Sequence, residues 1–424
     1  MNSSSTPMQT DKKVKKSFFA DFYKNLLLKR LDDIVDGQIQ INTPTEQIIL
    51  GHDIDAQRIA EPLFVRIEIL DEEFFTAVVL GGSVGAAESY MQGAWTCNDL
   101  TTLVRILVRN SALLDEMEGG LASLASVVMK SAHSLRKNTR SGSRKNIAEH
   151  YDLGNDLFEL FLDKDWMMYS SALYQSADDS LEQAQSQKLH SLCEKLHLQP
   201  TDHLLEIGTG WGGCAVYAAS NFGCRVTTTT ISKEQYQLAI DRVKKAGLED
   251  KVTVLLEDYR DLQGSYEKLV SIEMVEAVGH QFVDEYFACC SKLLKEDGIA
   301  VIQAITIEDH RYEQAVKSVD FIKRYIFPGS FIPCVSLLAS AAGKSQLRLN
   351  TLQDIGYSYA LTLREWRKRF MQDLDIVKAQ GCSEEFIRMW EFYLCYCEGG
   401  FLERSISNVH MQFVKPSNRC ASEL

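Results

Sequence analysis

The stretch Leu204-Leu205-Glu206-Ile207-Gly208-Thr209-Gly210-Trp211-Gly212-Gly213 decides the fold of this chain. Its pattern is that of an apolar strand that ends in an acid and runs into a glycine-rich turn. Glycines let a backbone approach a cofactor closely, and the acid at Glu206 suits a cationic group. By spacing alone, Gly208, Gly210 and Gly213 also satisfy the G-x-G-x-x-G dinucleotide pattern. The glycines therefore do not separate S-adenosylmethionine from NAD.

The next strand argues against NAD. An NAD site places a carboxylate about 20 residues after the glycines, where it holds a ribose hydroxyl. The strand at residues 225–231 instead ends in Thr230 and Ser232. The pattern favours S-adenosylmethionine, the cofactor of methyltransferases.

The rest of this region alternates between strand and helix patterns. Apolar runs lie at residues 251–256, 269–272 and 299–307, and helical periodicity at residues 233–245 and 281–294. This alternation predicts an α/β fold with a parallel sheet, whose ligands bind at the carboxyl ends of the strands.

Two residues at the predicted sheet edge extend the cofactor site. Asp258 follows the third strand, where its carboxylate can accept hydrogen bonds from an adenine amino group. Tyr259 offers an aromatic face for stacking. With Glu206 they predict an adenosyl site, and the alternative is a doubly wound domain that binds no nucleotide and has ordinary turn glycines.

Length, charge and cysteine use limit the function classes. A chain of 424 residues exceeds the size at which one core keeps growing, so two domains are expected. The net charge of -13 argues against nucleic-acid binding, which needs Lys and Arg to neutralise phosphates. No apolar run reaches about 20 residues, and residues 1–16 lack a signal-peptide core. The 11 cysteines show no paired C-x-x-C spacing, so we expect a cytoplasmic protein with no disulfide frame and no metal site.

Basic residues cluster in one segment. No acid occurs between Glu118 and Glu149, while Lys130, Arg136, Lys137, Arg140, Arg144 and Lys145 do. Such a segment can adhere to an anionic bilayer, at about 1 kcal/mol per basic residue, or be a solvated linker that contacts nothing. It divides the chain into an amino-terminal domain at 1–135, a basic linker at 136–148 and a catalytic domain at 149–424.

Several motifs together resemble the cyclopropane fatty acid synthases, and the resemblance covers nearly the whole chain. The motifs are His150-Tyr151-Asp152-x-Gly154-Asn155-x-x-Phe158, Met168-Tyr169-Ser170, the turn at 206–213, Thr230-Ile231-Ser232-x-x-Gln235, Asp258-Tyr259-Arg260-Asp261-Leu262 and Tyr325-Ile326-Phe327-Pro328-Gly329. Gly82-Ser83-x-Gly85 and Glu88-Ser89-Tyr90-Met91-x-Gly93-x-Trp95 resemble the amino-terminal lipid-handling domain of full-length bacterial members.

The resemblance implies a fold and a reaction. The fold would be a Rossmann-like class I methyltransferase domain with a mainly helical insert for the acyl chain at about 312–381, preceded by a smaller α+β domain. The reaction would methylenate unsaturated acyl chains of membrane phospholipids. It also implies peripheral contact with the inner face of the membrane and a homodimer.

The resemblance assigns most of the cofactor contacts. The residues it implies are Tyr169, Ser170, Gly208, Gly210, Thr230, Gln235, Asp258 and Tyr259, to which the turn and the strand end add Glu206, Gly212 and Ser232.

The resemblance also implies a catalytic group. Tyr359 matches the active-site tyrosine, and Glu276 and the backbone of Ile305 match groups that hold a bound bicarbonate, the base of the reaction. The chain departs from the common bacterial pattern with Ser171 for a cysteine and Gln303 for a histidine. A neutral amide holds an anion less tightly than a charged donor, so bicarbonate affinity should fall by about 1 to 2 kcal/mol.

Two further side chains are weighed as catalytic groups. Cys397 matches a cysteine to which a nucleophilic role has been assigned, although direct methyl transfer needs no covalent cysteine. His280 is either an alternative base or a residue that caps the helix after it.

Three other functions stay open. A cation that loses its proton elsewhere would yield methyl- or methylene-branched chains, which makes the chain a fatty acid C-methyltransferase. The departures near the base also permit a lipid-binding protein without turnover. An ordinary small-molecule methyltransferase is the third alternative, which the amino-terminal domain and the basic linker disfavour.

Overall fold

The computed structural model describes residues 18–52, 62–112 and 154–419. The expectations for the basic linker and for the motif at 150–152 lie outside the described residues.

The amino-terminal part combines three helices with a small sheet. Its elements are α1 (Phe18–Asp32), β1 (Gln38–Asn42), β2 (Gln47–Leu50), β3 (Phe64–Ile69), α2 (Glu73–Met91), β4 (Trp95–Cys97) and α3 (Leu100–Arg109). The strand order is β2-β1-β3-β4, with β1 and β3 parallel and both outer pairs antiparallel. Alternating burial along β3 leaves one face of the sheet for the core.

The larger part has a seven-stranded sheet with helices around it. Its strands are β5 (His203–Ile207), β6 (Arg225–Thr229), β7 (Val252–Leu255), β8 (Tyr266–Ile272), β9 (Leu294–Ile307), β10 (Arg348–Asp354) and β11 (Ile406–Val414). Its helices are α4 (Asn155–Phe161), α5 (Leu181–Lys195), α6 (Gly213–Phe222), α7 (Lys233–Lys245), α8 (Val283–Leu293), α9 (Asp309–Lys317), α10 (Val335–Lys344), α11 (Gly356–Gln372), α12 (Leu374–Ala379) and α13 (Glu384–Leu402).

The strand order β10-β11-β9-β8-β5-β6-β7 puts β5 next to the point where the chain reverses its direction across the sheet. The five strands from β9 to β7 are parallel, while β11 and β10 are antiparallel to their neighbours. Ligands of doubly wound sheets bind at such a reversal, beyond the carboxyl ends of the strands. The predicted Rossmann-like fold, with a smaller α+β part before it, is confirmed.

The insert departs from the sequence expectation in one place. The sheet pattern was expected to lapse over 312–381, but residues 348–354 form β10, the outer strand of the sheet next to β11. This strand is exposed along nearly its whole length and carries no apolar alternation. An edge strand of this kind is specified by its pairing rather than by burial, so periodicity does not reveal it.

The two parts share one hydrophobic core. Ile39 and Phe74 of the amino-terminal part belong to the same cluster of buried side chains as Trp366 and Trp390 of the larger part. Buried apolar contact on this scale dominates the association of packed elements. The amino-terminal part therefore packs against the larger part through a common hydrophobic core.

Polar contacts reinforce this junction. The buried carboxylate of Glu398 on α13 accepts hydrogen bonds from Thr101 on α3 and from Arg364 and Arg367 on α11. Glu403, just after α13, accepts a hydrogen bond from Arg105 on α3. The contacts of Thr101 and Arg105 hold α13 against the amino-terminal part, and the two arginines join α13 to α11.

Within the described ranges, no helix is long and apolar enough to span a bilayer. The ten cysteines of those ranges are free thiols, and no cluster of His, Cys, Asp and Glu there could hold a metal ion.

Candidate active site

A cavity of about 640 Å³ opens at the carboxyl ends of β5, β6 and β8. Its polar wall comes from the glycine turn and from the residues that follow these strands. Its apolar walls come from α11 and α13 and from helices and strands of the amino-terminal part. Cavities of about 300 to 1,000 Å³ are typical of sites that enclose small ligands.

Two glycines of the turn are required by the geometry. Gly208 has a φ of +95°, a conformation that side chains with a Cβ rarely adopt. A Cβ at Gly213 would lie 2.3 Å from the carbonyl oxygen of Trp166. The close approach brings the chain segment that leads to Tyr169 against the start of α6.

That segment is held by a buried acid. The carboxylate of Asp163 accepts hydrogen bonds from the backbone N–H groups of Trp166 at 2.6 Å and Met168 at 2.8 Å. Such a nest of N–H groups around a carboxylate fixes the loop. As a result, Tyr169 and Ser170 both line the cavity.

Glu206 lies at the end of β5 and is buried. Its Oε2 accepts hydrogen bonds from the Thr228 hydroxyl at 2.6 Å and the Thr209 hydroxyl at 3.4 Å. Burial raises the pKa of Glu206 to about 7, although these hydrogen bonds oppose the rise. A carboxyl in this state ionises readily when a cation comes near it.

The connection from β6 into α7 supplies a hydroxyl and an amide. The Thr230 hydroxyl donates to Oε1 of Gln235 at 2.8 Å, which fixes the Gln235 side chain at the cavity wall. Ser232 has another position, since its hydroxyl accepts the N–H of Gln235 at 3.3 Å and caps the start of α7.

Asp258 is buried at the cavity wall after β7. Its carboxylate forms a bidentate pair with Arg260, with distances of 2.8 Å to Nε and 2.6 Å to a terminal nitrogen. Tyr259 also lines the cavity, and its ring packs T-shaped with the Tyr286 ring, with ring centres 5.5 Å apart. The bidentate pair with Arg260 fixes the plane of the Asp258 carboxylate.

Lys188 on α5 is a buried cation that the sequence reasoning missed. Its Nζ donates to the Ser170 hydroxyl oxygen at 2.8 Å. Burial lowers the pKa of Lys188 to about 8, and the nearby acids Glu273, Asp163 and Glu206 oppose the fall. The helix offered one signal, because this lysine lies on the buried face with Leu181, Ala184 and Leu192.

The side chains around this part of the cavity fit S-adenosylmethionine, since an acid, a paired carboxylate, an amide and an aromatic ring line a cleft over the glycine turn. Nine of the expected contact residues line the cavity: Tyr169, Ser170, Glu206, Gly208, Gly210, Thr230, Gln235, Asp258 and Tyr259. Gly212 and Ser232 are instead the residues before α6 and α7. The individual contacts stay predictions.

Glu273, directly after β8, is the centre of a second polar cluster. Its Oε1 accepts hydrogen bonds from the Ser171 N–H at 2.9 Å, the Gln303 amide at 2.8 Å and the Asn408 amide at 2.7 Å. Its Oε2 accepts the Tyr359 hydroxyl at 2.8 Å. Burial raises the pKa of Glu273, against the lowering effect of these donors and of the nearby Lys188 charge.

Glu276 lies beside this cluster at the cavity wall. Its Oε1 accepts the backbone N–H of Ile305 at 2.6 Å, and its buried Oε2 has no hydrogen-bond partner among the described residues. Burial and the charge of Glu273 raise the pKa of Glu276 to about 8. A group with this pKa can hold or release a proton near neutral pH.

Ser171 and Gln303 reach the cluster in unexpected ways. The Ser171 hydroxyl donates to the adjacent carbonyl of Ala172 at 2.9 Å, so its backbone N–H rather than its side chain contacts Glu273. Gln303 is fully buried between Glu273 and His410, whose Nε2 lies 3.0 Å from Oε1 of Gln303. Neither residue is a wall of the cavity.

Cys397 and His280 differ in position. Cys397 lines the cavity from α13, where burial raises the pKa of its thiol and disfavours a thiolate nucleophile. His280 is exposed outside the cavity, in the short helical turn before α8.

The sequence contained partial signals for the missed members of the second cluster. Glu273 ends a buried strand at the same sheet edge as Glu206, which is the position of a ligand-binding acid. Asn408 belongs to a strand that alternates polar Asn408, His410 and Gln412 with apolar residues, yet both faces are buried. A buried polar face indicates a hydrogen-bond network.

Comparisons with known proteins agree with this geometry. The family model described as mycolic acid cyclopropane synthetase matches residues 138–411. Tuberculostearic acid methyltransferase of Mycobacterium tuberculosis is 39% identical over 76% of this chain and 76% of its own. Cyclopropane-fatty-acyl-phospholipid synthase of Escherichia coli is 38% identical over 80% of this chain and 85% of its own.

A solved structure extends the likeness to the fold. The crystal structure of a mycolic acid cyclopropane synthase complexed with SAH and CTAB has a TM-score of 0.60 and 28% identity, and it covers 64% of this chain and 98% of its own. The family match includes the glycine turn, the acids after β7 and β8, and Tyr359. The chain therefore belongs to the cyclopropane synthase family of S-adenosylmethionine-dependent transferases.

Proposed function

We propose that this chain transfers the methyl carbon of S-adenosylmethionine to the double bond of an unsaturated acyl chain in a membrane phospholipid, and that it closes a cyclopropane ring. One observation carries this proposal. The cavity lined by the residues expected to bind the cofactor continues into an apolar space, whose walls come from both parts of the chain. A hydrocarbon substrate needs a space of this kind next to a methyl donor.

The apolar space suits an acyl chain. Phe327, Leu363 and Phe392 line it in the larger part, and Leu31 and Leu103 line it in the amino-terminal part. Moving a chain from a bilayer into water costs about 0.8 kcal/mol per CH₂ group, more than ten kcal/mol for a whole chain. An apolar cavity removes most of this cost, because the methylene groups then pass from one apolar environment to another.

The amino-terminal wall favours a long substrate over a small soluble one. Leu103 and Leu107 on α3 reach the same cavity as Tyr359 on α11. A small-molecule methyltransferase would have no use for an apolar extension of its cofactor cleft. The extension is therefore the place for the part of the acyl chain that lies beyond the double bond.

The side chains at the reacting centre fit the chemistry of an alkene. S-adenosylmethionine, when bound, supplies an electrophilic methyl group. An alkene is a weak nucleophile, so it has to be held in line with that group. The ring of Tyr359, packed on Phe401 with ring centres 4.5 Å apart, lines the cavity where a carbocation would need a π face and shelter from water.

Contact with the inner face of a cytoplasmic membrane belongs to the same proposal. A substrate in a bilayer requires docking, and the basic residues at 136–145 supply charge for an anionic surface. We expect that neutralising Arg136, Lys137, Arg140, Arg144 and Lys145 weakens vesicle binding in a salt-sensitive way. Equal binding at low salt would contradict this role. Sedimentation of the purified chain tests the homodimer that the resemblance implies.

The reaction is tested with purified protein, labelled S-adenosylmethionine and vesicles of unsaturated phospholipid, followed by proton NMR of the recovered fatty acids. We expect upfield cyclopropyl signals. Retained vinyl signals with a new branch would instead identify a C-methyltransferase. No transfer of label would favour a lipid-binding protein.

A matched pair of variants ties the product to the cavity. Tyr359→Phe removes the hydroxyl that Glu273 accepts, so turnover should fall by about tenfold or more. Tyr357→Phe alters an exposed tyrosine on the same helix and should leave turnover unchanged. Equal rates for both variants would contradict the placement of the reaction at this end of the cavity.

A further inference from the structure

Glu273 receives the hydrogen bonds that a bound anion would need. Ser171, Gln303 and Tyr359 belong to the set that the family resemblance implies for a bicarbonate site, and all three donate to the Glu273 carboxylate at 2.8 to 2.9 Å. The amide of Asn408, which had no expected role, donates to it at 2.7 Å. These four donors form an anion site, and the Glu273 carboxylate of the protein itself occupies it.

The residues therefore do not fit an additional bicarbonate. The remaining expected donor, the N–H of Ile305, is bonded to Glu276. A bicarbonate would lie beside two acids, Glu273 and Glu276, in an environment that disfavours even their own charges. Among the described residues, the expected donors are all used by Glu273 and Glu276, and two like charges disfavour a further anion there in spite of the nearby Lys188.

The backbone at Glu273 is consistent with a functional constraint. Its φ is +47°, in the left-handed region that glycine occupies freely and other residues rarely adopt. A residue persists in such a conformation only where its surroundings require it, and such residues cluster at active sites. The glutamate at this position directs its carboxylate into the cluster, and the backbone there is strained.

We propose that the Glu273 carboxylate is the base of the reaction and takes the place of an external bicarbonate. This role rests on the proposed function. Once the first carbon–carbon bond has formed, the positive charge lies on the other carbon of the former double bond, adjacent to the carbon that bears the new methyl group. One C–H bond of that methyl group breaks, and its electron pair forms the second ring bond. The proton goes to the Glu273 carboxylate.

The surroundings of Glu273 suit proton acceptance. Among the described residues, its Oε2 accepts one hydrogen bond, from Tyr359, and Glu273 lines the cavity proposed for the acyl chain. Burial disfavours the charged form and so strengthens the carboxylate as a base. Protonation neutralises the carboxylate at the moment when the positive charge on the chain disappears.

The experiment compares turnover in carbonate-depleted buffer and in the same buffer with added sodium bicarbonate. Wild-type turnover should change by less than about twofold. Glu273→Gly should lower turnover in depleted buffer by about 100-fold or more, the size of a lost general base. Added bicarbonate should then restore at least about tenfold, because glycine leaves four donors around an empty space.

Glycine is the suitable replacement because a φ of +47° is favourable for it. Gln346→Gly is the matched control, since Gln346 is exposed and has a φ of +58°. This control should keep wild-type turnover and show no response to bicarbonate. Calorimetric binding of S-adenosylhomocysteine should be the same in all three proteins. If Glu273→Gly loses this binding, Glu273→Gln, which keeps the side-chain size, replaces it in the comparison of depleted-buffer rates.

Three results would overturn the role of Glu273. The first is wild-type turnover that depends on added bicarbonate. The second is full turnover of Glu273→Gly in depleted buffer. The third is a loss of turnover that bicarbonate does not restore in Glu273→Gly, although this variant still binds S-adenosylhomocysteine. A wild-type protein that forms no lipid product in either buffer would overturn the proposed function itself, and this role with it.

Discussion

Binding of S-adenosylhomocysteine should release a proton from Glu206 below pH 7. Glu206 is buried at the end of β5, and its pKa in the free protein is raised to about 7. We expect the ammonium of the ligand to be the cationic group that Glu206 faces, and an adjacent cation favours the carboxylate. The sign follows from these two states, because a carboxyl that is protonated when free and ionised when bound gives up its proton on binding.

The magnitude follows from the pKa. With a pKa of about 7, about nine tenths of the Glu206 carboxyls are protonated at pH 6, so binding should release about 0.9 proton per site. At pH 8 the release should fall to about 0.1. Affinity should weaken by up to about tenfold for each pH unit below 7, because the proton competes with the ligand.

The assay is isothermal titration calorimetry at pH 6 in two buffers of different ionisation enthalpy. The difference in apparent binding enthalpy counts the released protons. Glu206→Gln keeps the shape of the side chain and cannot titrate, so its release should be lower by the share that Glu206 contributes. Equal proton release by the wild type and by this variant would refute the assignment of Glu206 to the ammonium group.

Three further expectations concern single contacts. Glu398→Ala leaves two arginines and a threonine without their shared acceptor and should lower the free energy of unfolding by about 2 kcal/mol. The loss is smaller than for a fully buried pair because both arginines reach solvent. Calorimetry measures this free energy, and Glu313→Gln, in an exposed pair, is the control that should not change it. Arg260→Gln removes the bidentate partner that orients the Asp258 carboxylate and should raise the Kd for S-adenosylhomocysteine about tenfold, about 1.4 kcal/mol by titration calorimetry. An unchanged Kd would show that this orientation does not matter for the ligand. Leu103→Trp fills the amino-terminal end of the cavity and should lower turnover of long-chain phospholipid about tenfold or more without changing cofactor affinity, and equal turnover would place the acyl chain elsewhere.

Much of the fold was readable from local patterns. Buried parallel strands are continuous apolar runs, so β5 to β9 were found with errors of a few residues at their ends. The helix at 233–245 has the predicted bounds. The outer strand β10 was missed because an exposed edge strand carries no burial pattern.

The cofactor side of the site was also readable, because its residues follow strands of one sheet. Glu206, Thr230 and Asp258 each come directly after, or at the end of, a predicted strand, and parallel strands bring their carboxyl ends to one edge. The second cluster was not readable in this way. Glu273 meets Asn408 and Gln303 because β11 pairs with β9 in one register, with Asn408 opposite Ile305 and His410 opposite Gln303.

By itself the sequence determined the α/β order, the glycine turn and the acids at the strand ends, since these depend on neighbours along the chain. The tertiary structure alone decided that the donors expected for bicarbonate are used by Glu273, and that the amino-terminal part forms a wall of the cavity. The physical reason is distance along the chain. Hydrogen-bond partners and cavity walls are chosen by strand register and by the packing of α13 on α3, and neither leaves a periodic signal in the sequence.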